Sequence, residues 1–326
     1  MIELNDLLLG GLLPAVVAAM VLATVWKLFR HAGAAWTISL AVGYLAGHWA
    51  LDASPAGHTN AAGIWAAISK SFKPHEARDW LPLAILLGTV PIALAGTGKS
   101  GRTIAWLLRA ALCVFLPWRL LAGSAFLPHS SPPKISFVDV SFDTGAWSTL
   151  EAVAWLGGIG TVLLAIWIAA ECANENTTGR LRGWLAVLVA LGGAVTLAMS
   201  GSFTYGQLLG ILTATLAGNA VVATMLRLER GPEAAAGPLI VVFGGIMVLA
   251  HFFSELKFLN SGLLLLAMAA AICGWLPVPK LSLRMQVALR CLLCLVPLAI
   301  AITLAAMDFS ATQAESESNP YLNFQP

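Results

Sequence analysis

The chain has 326 residues, 59% of them apolar and only 10% charged, with 18 Lys and Arg against 16 Asp and Glu. Soluble globular proteins carry about 25% charged residues, so a water-soluble enzyme is excluded, and so is a disordered chain, which needs low hydrophobicity and high charge. A net charge of +2 leaves no electrostatic footprint for nucleic acid, and a mean hydropathy of +0.83 places most of the chain in lipid.

Crossing the hydrocarbon core takes about 20 mostly apolar residues. Ten segments meet that demand, some of them only just: Leu7–Phe29, Ala34–Leu51, Trp80–Ala95, Ile104–Leu121, Leu150–Ala170, Gly183–Met199, Tyr205–Leu226, Pro238–Phe253, Ser261–Leu276 and Val287–Met307. None alternates apolar and polar residues as barrel strands do, so the expected fold is an all-α polytopic membrane protein with about ten transmembrane helices. Glu3 and Asp6 precede the first segment and no basic residue does, which argues against a cleavable signal and for an N-terminus outside the cell.

Basic residues test that orientation. Alternate loops carry Lys27 and Arg30, Lys99 and Arg102, Arg180 and Arg182, Arg227 and Arg230, then Lys280 and Arg284. The opposite side holds Lys70, Lys73, Arg78, Lys134 and Lys257. The richer set is expected to be cytoplasmic, with both termini non-cytoplasmic and the plasma (inner) membrane as the location. Trp26, Trp36, Trp49, Trp80, Trp147, Trp184 and Trp275 fall near segment ends and read as interfacial anchors.

Two outer connections are long. In the first, Ile64, Trp65, Ile68 and Phe72 share one helical face, which predicts a short helix lying in the outer interface. The second, from Pro128 to Trp147, reads as an extended cap through Ile135, Phe137, Val138, Val140 and Phe142, with Asp139 and Asp143 solvated. Residues 309–326 are polar and acidic and read as a disordered tail. The five Cys, including Cys291 and Cys294 on one helix face, read as buried apolar residues. Asn176-Thr177-Thr178 matches a glycosylation pattern but falls in a loop expected to be cytoplasmic.

The segments repeat. Ala110–Pro117 in the fourth aligns with Ala270–Pro277 in the ninth at five identical positions of eight, Cys and Pro included. Pro82-Leu83 and Pro238-Leu239 each precede a Gly, at 88 and 244. Leu164-Ala165-Ile166 matches Leu298-Ala299-Ile300, Leu45-Ala46-Gly47 matches Leu216-Ala217-Gly218, and Leu9-Gly10-Gly11 matches Leu191-Gly192-Gly193. The matches come in order, segment for segment, and divide the chain into residues 1–182 and 183–308. A duplicated unit with an odd number of helices inserts its second copy upside down. Inverted repeats of this kind recur in secondary transporters. Five plus five inverted helices resemble drug/metabolite exporters in size, and the outside placement of both ends is more similar to auxin-efflux-type carriers. No family motif matches residue by residue, so neither family is assigned.

Polar residues inside lipid are the candidates for function. Pro117 and Pro277 each remove a backbone donor, and Arg119 follows Pro117, so a substrate pathway between the fourth and ninth segments is expected there. Arg109 and Arg290 lie about a turn inside the cytoplasmic boundary and read as snorkelling to headgroups. His48 and, at its repeat position, Asn219 join the pathway candidates, each following a Gly. His48 with Asp52 and His251 with Glu255 are spaced four apart, so each pair shares a helix face. Brought together, the four would offer metal ligands or a proton relay; apart, they solvate helix ends. The stretch Gly96-Thr97-Gly98-Lys99-Ser100 lacks the leading Gly of a phosphate loop, since position 93 is Ala. No cofactor motif is present. The expected partners are the lipid bilayer and a small solute, and the expected function is secondary transport by alternating access. The alternatives are a membrane enzyme or lipid-handling protein with an outer His–carboxylate site, and a non-catalytic subunit of a membrane complex.

Overall fold

In the computed structural model, residues 8–53, 61–96, 98–124, 126–128, 147–171, 179–273 and 282–318 are described. Among these the chain forms eleven α-helices and no strand. They are α1 (Leu13–Phe29), α2 (Ala32–Ala53), α3 (Ala61–Phe72), α4 (Leu81–Ala95), α5 (Lys99–Leu121), α6 (Thr149–Glu171), α7 (Gly179–Met199), α8 (Phe203–Met225), α9 (Ala236–Phe253), α10 (Phe258–Ile272) and α11 (Leu283–Ser318). A π-turn, Leu8–Leu12, leads into α1, and 3-10 turns at Ala77–Trp80 and Pro232–Ala235 lead into α4 and α9. Eight helices are long and apolar enough to cross a bilayer: α1, α4 to α9, and α11. The protein is thus a multi-pass membrane protein.

Two of the ten expected segments are not among those eight. α10 has 15 residues, about 22 Å at 1.5 Å per residue, short of the hydrocarbon thickness. α2 has 22 residues but carries Thr37, Ser39, Tyr44, His48 and Asp52. It is nonetheless largely buried, and it packs between α1 and α8.

The centre is α9. Every residue from Ala236 to Ala250 is buried, as expected of a helix that is apolar all round. It packs against α4, α5, α6, α8 and α10. On one side α1, α2 and α8 form a tight trio; on the other α7 packs against α8, α10 and α11. Lipid offers no hydrophobic drive for helix association, so small residues that let backbones approach set these contacts. At Gly218 the α8 backbone meets the carbonyl of Ala15 in α1, leaving no room for a Cβ. At Gly88 an added Cβ would lie 2.9 Å from Cα of Pro238, joining α4 to α9.

Several local readings change. α3 forms where one apolar face predicted it, with Trp65 and Phe72 exposed and Ala67 buried. α9 stops at Phe253, and Ser254 turns extended, so Glu255 lies off the helix and does not share a face with His251. The His251 ring nitrogen Nδ1 lies 2.9 Å from the Leu256 carbonyl instead. α11 runs on to Ser318, so residues 309–318 of the expected tail are helical; Lys257 grips Asp308 at 2.7 Å where the apolar run ends. Trp36 is fully buried rather than an interfacial anchor, donating from Nε1 to the Arg230 carbonyl at 3.1 Å. The cap expected across residues 129–146, the sequon at 176–178, Trp275 and residues 319–326 lie outside the described residues.

Candidate functional site

Polar side chains in the membrane interior gather between α1, α2 and α8. On α2, Tyr44, His48 and Asp52 recur every four residues and so line one face. Asp52, at the C-terminal end of α2, is 17% exposed, and its Oδ2 lies 3.9 Å from His48 Nε2, too far for a direct hydrogen bond. The His48 and Tyr44 rings are 5.8 Å apart. Both residues are buried. Their hydroxyl and Nδ1 atoms have no hydrogen-bond partner among the described residues.

Asn219 on α8 continues the series inward. An added Cβ on Gly43 would touch Thr215, and one on Gly47 would touch Ile211. The two helices therefore run antiparallel, with position 219 level with about position 39 of α2, roughly 7 Å deeper than Tyr44. Asn219 is wholly buried, and both its side-chain oxygen and nitrogen are unpartnered among the described residues. The neighbouring hydroxyls of Thr213 and Thr215 are occupied, each donating at 2.8 Å to the carbonyl four residues back.

The end of the bundle near Asp52 is charged. Lys70 of α3 contacts Asp79 at 3.0 Å, and Asp79 also accepts from the backbone N–H groups of His75 and Glu76. Arg78 Nε lies 2.8 Å from Glu76. Trp49 donates to Ser71 at 2.9 Å and ties α3 onto α2. Beside this cluster a polar cavity of about 730 Å³ is lined by Glu76, Arg78, Ser200, Ser202, Tyr205 and Glu255.

The opposite end of the bundle is fastened by side-chain and backbone contacts. Arg182 Nη1 lies 3.4 Å from Glu233 Oε1, and that oxygen also accepts the Gly231 N–H at 2.7 Å. Thr37 donates to the Ala234 carbonyl at 3.1 Å, and the Gly179 N–H donates to the Glu229 carbonyl at 3.0 Å. With the Trp36 bond, these contacts fasten the α8–α9 connection across the ends of α2 and α7.

The residues expected from sequence separate into those brought together and those dispersed. His48 and Asn219 both sit in the polar column between α2 and α8. Pro117 is buried inside α5, but the carbonyl it deprives of a donor, that of Cys113, faces Gly160 of α6, where an added Cβ would lie 3.0 Å away. Arg119 stacks over Trp80 at 4.3 Å. α5 and α10 each pack on α9 rather than broadly on each other, and Pro277 lies outside the described residues. The set His48, Asp52, His251 and Glu255 does not assemble: among the described residues no three His, Cys, Asp or Glu side chains are grouped to hold a metal ion.

Two features escaped sequence reasoning. Arg109 does not snorkel; it is buried, 2.7 Å from Glu171, with Trp106 at 4.5 Å and Trp167 at 5.9 Å from its guanidinium. Trp167 also donates to Glu171 at 2.9 Å. Tyr44 was legible as the residue four before His48, since both must share a face.

Comparison with known proteins adds no family: no family model matches the chain, and neither a curated protein nor a solved structure matches it.

Proposed function

We propose that the protein is a secondary transporter of a small polar solute, in a conformation closed at its inner end. The observation that carries this reading is the column of buried, unpartnered polar atoms on Tyr44, His48 and Asn219. Leaving a buried donor or acceptor unsatisfied costs about 1–3 kcal/mol each, and such groups inside a membrane are retained where a solute, ion or water meets them. The polar cavity beside Arg78 and Glu255 supplies an outer mouth, and the Arg182–Glu233 pair supplies an inner closure.

The finer architecture belongs to the same proposal: ten spans in two inverted five-helix repeats, residues 1–182 and 183–308, with both termini non-cytoplasmic in the plasma membrane. It is supported by matching neighbours. α1 packs on α2 as α7 packs on α8, and α5 on α6 as α10 on α11, while α2 meets α8 and α4 meets α9 as pairs related to each other. The halves are not equivalent in every contact, since α7 reaches α10 and α11 whereas α1 leans on α8. Alternating access draws on such inequality, one half holding the arrangement the other will adopt.

Asn219→Leu tests the reading. Removing an unsatisfied amide from a buried site is expected to raise the thermal midpoint of the purified protein while abolishing protein-dependent solute counterflow in liposomes. The panel would cover radiolabelled amino acids, organic acids, sugars and nucleosides. A lowered midpoint would make Asn219 interhelical glue; with no counterflow by the wild type, the carrier reading falls.

A further inference from the structure

We infer that His48 and Asp52 form the binding site for a coupling proton delivered from the outer face, an inference that rests on the transporter reading and specifies its driving ion. The site has three geometric properties that a proton acceptor in lipid needs. First, it is reachable: Asp52 is 17% exposed at the outer end of α2, and His48 Nε2 lies 3.9 Å behind it. That gap is too long for a direct bond and closes readily through small side-chain movement or one water. Second, His48 is uncommitted. A buried structural histidine ordinarily spends a ring nitrogen on a backbone carbonyl, as His251 Nδ1 does with Leu256, whereas His48 Nδ1 is buried with no partner among the described residues. Third, the next group inward is also uncommitted: the Tyr44 hydroxyl, one helical turn away, is unpartnered too.

The surrounding charges assign the proton to this pair. Around His48 stand Asp52 on its own helix, Lys70 on α3, and Arg78 and Asp79 on the turn before α4. Lys70 is engaged by Asp79 and Arg78 by Glu76. Asp52 pairs with no Lys or Arg among the described residues; the group it approaches is His48. From α1 the column meets Pro14, Ala15 and Ala18, and from α8 Ile211, Thr215 and Asn219, none of them charged. Asp52 is therefore the carboxylate free to stabilise an imidazolium at His48. In the step, a proton leaves hydronium or a buffer acid in the outer water and binds the open ring nitrogen of His48. The cation formed is neutralised by the Asp52 carboxylate, and no electron changes hands. Release of the same proton restores the neutral ring. Charging the pair alters the α2 side of the α2–α8 contact on which Asn219 sits, which links proton binding to the deeper site.

The test uses the full chain in lipid nanodiscs, labelled with ¹⁵N-histidine. The sequence has six His, and the His48 signal is identified by its loss in His48→Gln. The ring nitrogen shifts of His48 are expected to change with pH across the acid range in which the protein stays folded. Asp52→Asn is expected to lower the midpoint by about one pH unit or more, at least tenfold in proton affinity, because the favouring carboxylate is gone. A His48 ring unchanged over that range, or one that titrates with no response to Asp52→Asn, overturns the inference. Lys70→Met serves as a second variant if Asp52→Asn misfolds; by removing a nearby cation it should move the midpoint upward, and no movement counts against the site. Solute counterflow separates this result from the transporter reading. Counterflow with an unchanged pH profile in His48→Gln retires the proton and leaves the carrier, whereas a titrating pair in a protein that moves no solute retires the carrier and leaves the proton site.

Discussion

At Gly218 the backbone of α8 lies hard against that of α1, and replacing it with Ala gives a quantitative test of the packing. An added Cβ at Gly218 falls on the Ala15 carbonyl oxygen and lies 2.8 Å from its carbon and 3.0 Å from Cα of Ala15. Carbon atoms rest about 3.5–4.0 Å apart, so α1 must withdraw by roughly 1 Å. The obstacle is backbone, so no rotamer change relieves it. Withdrawal is itself obstructed, because α1 also backs onto α2: an added Cβ at Gly43 would lie 2.7 Å from Ala18 and 3.1 Å from the Pro14 carbonyl oxygen. Overpacking of this kind costs about 1–3 kcal/mol, and the upper part of that range applies here. Gly to Ala within a helix returns about 1 kcal/mol of propensity. Gly218→Ala should therefore lose about 1–2 kcal/mol overall. Gly210→Ala, on the same helix with nothing within 4 Å of its added Cβ, should gain up to about 1 kcal/mol by the same propensity. The two variants are expected to differ by about 2–3 kcal/mol and so to melt about 4–12 °C apart, at roughly 2–4 °C per kcal/mol, in thermal unfolding followed by tryptophan fluorescence in detergent. Ala15→Gly should not rescue Gly218→Ala, because the clash is with the carbonyl. A Gly218→Ala protein as stable as Gly210→Ala would refute the α1–α8 contact.

Two further substitutions probe the ends of the bundle. Arg109→Met leaves Glu171 beside Trp167 without its cation; breaking a buried pair costs about 3–5 kcal/mol, and the 27% exposure of Glu171 brings the expected loss to about 2 kcal/mol. Replacing both residues with Met should recover most of it in denaturant titration, and a double variant as weak as the single one would show that the pair is not the source. Lys70→Met removes the cation from Asp79, whose side chain is only 2% exposed. Amide hydrogen exchange across residues 61–72 should rise at least tenfold while that of α9 stays unchanged, and equal protection in both proteins would mean that the Trp49–Ser71 bond alone holds α3 down.

The sequence carries the membrane class and most helices because lipid imposes one demand on every residue of a span, and eight segments meet it by length and apolarity alone. α3 was legible for a related reason: Ile64, Trp65, Ile68 and Phe72 can share a face only on a helix. α2 is harder to read. Its Thr37, Ser39, His48 and Asp52 lower its apolarity, yet α1 and α8 bury it, so its place is set by neighbours far away in sequence. The same holds for Arg109, whose partner lies 62 positions later at Glu171. A basic residue one turn inside a boundary reads as snorkelling until that partner is known. The His251–Glu255 spacing misled because it presumes an unbroken helix, and α9 ends between the two residues at Phe253.

Polar groups within the bundle divide by how their cost is met. Away from Asp52, Arg109 and Arg182 each face a carboxylate, and a buried charge without one would cost several kcal/mol. Such pairs must be complete while they are buried. Along α2 and α8 the open groups are a phenol, an imidazole and a carboxamide. Each costs about 1–3 kcal/mol while unpaired, a burden small enough to carry in a folded protein and large enough that a ligand pairing with them is bound. On the proposed transporter reading, that difference in cost would give the ion pairs the closing of one end and the polar column the meeting of the solute. It also explains why the stability of Asn219→Leu is informative before any substrate is known: only a residue kept for something other than packing should leave the fold firmer when its polarity is taken away.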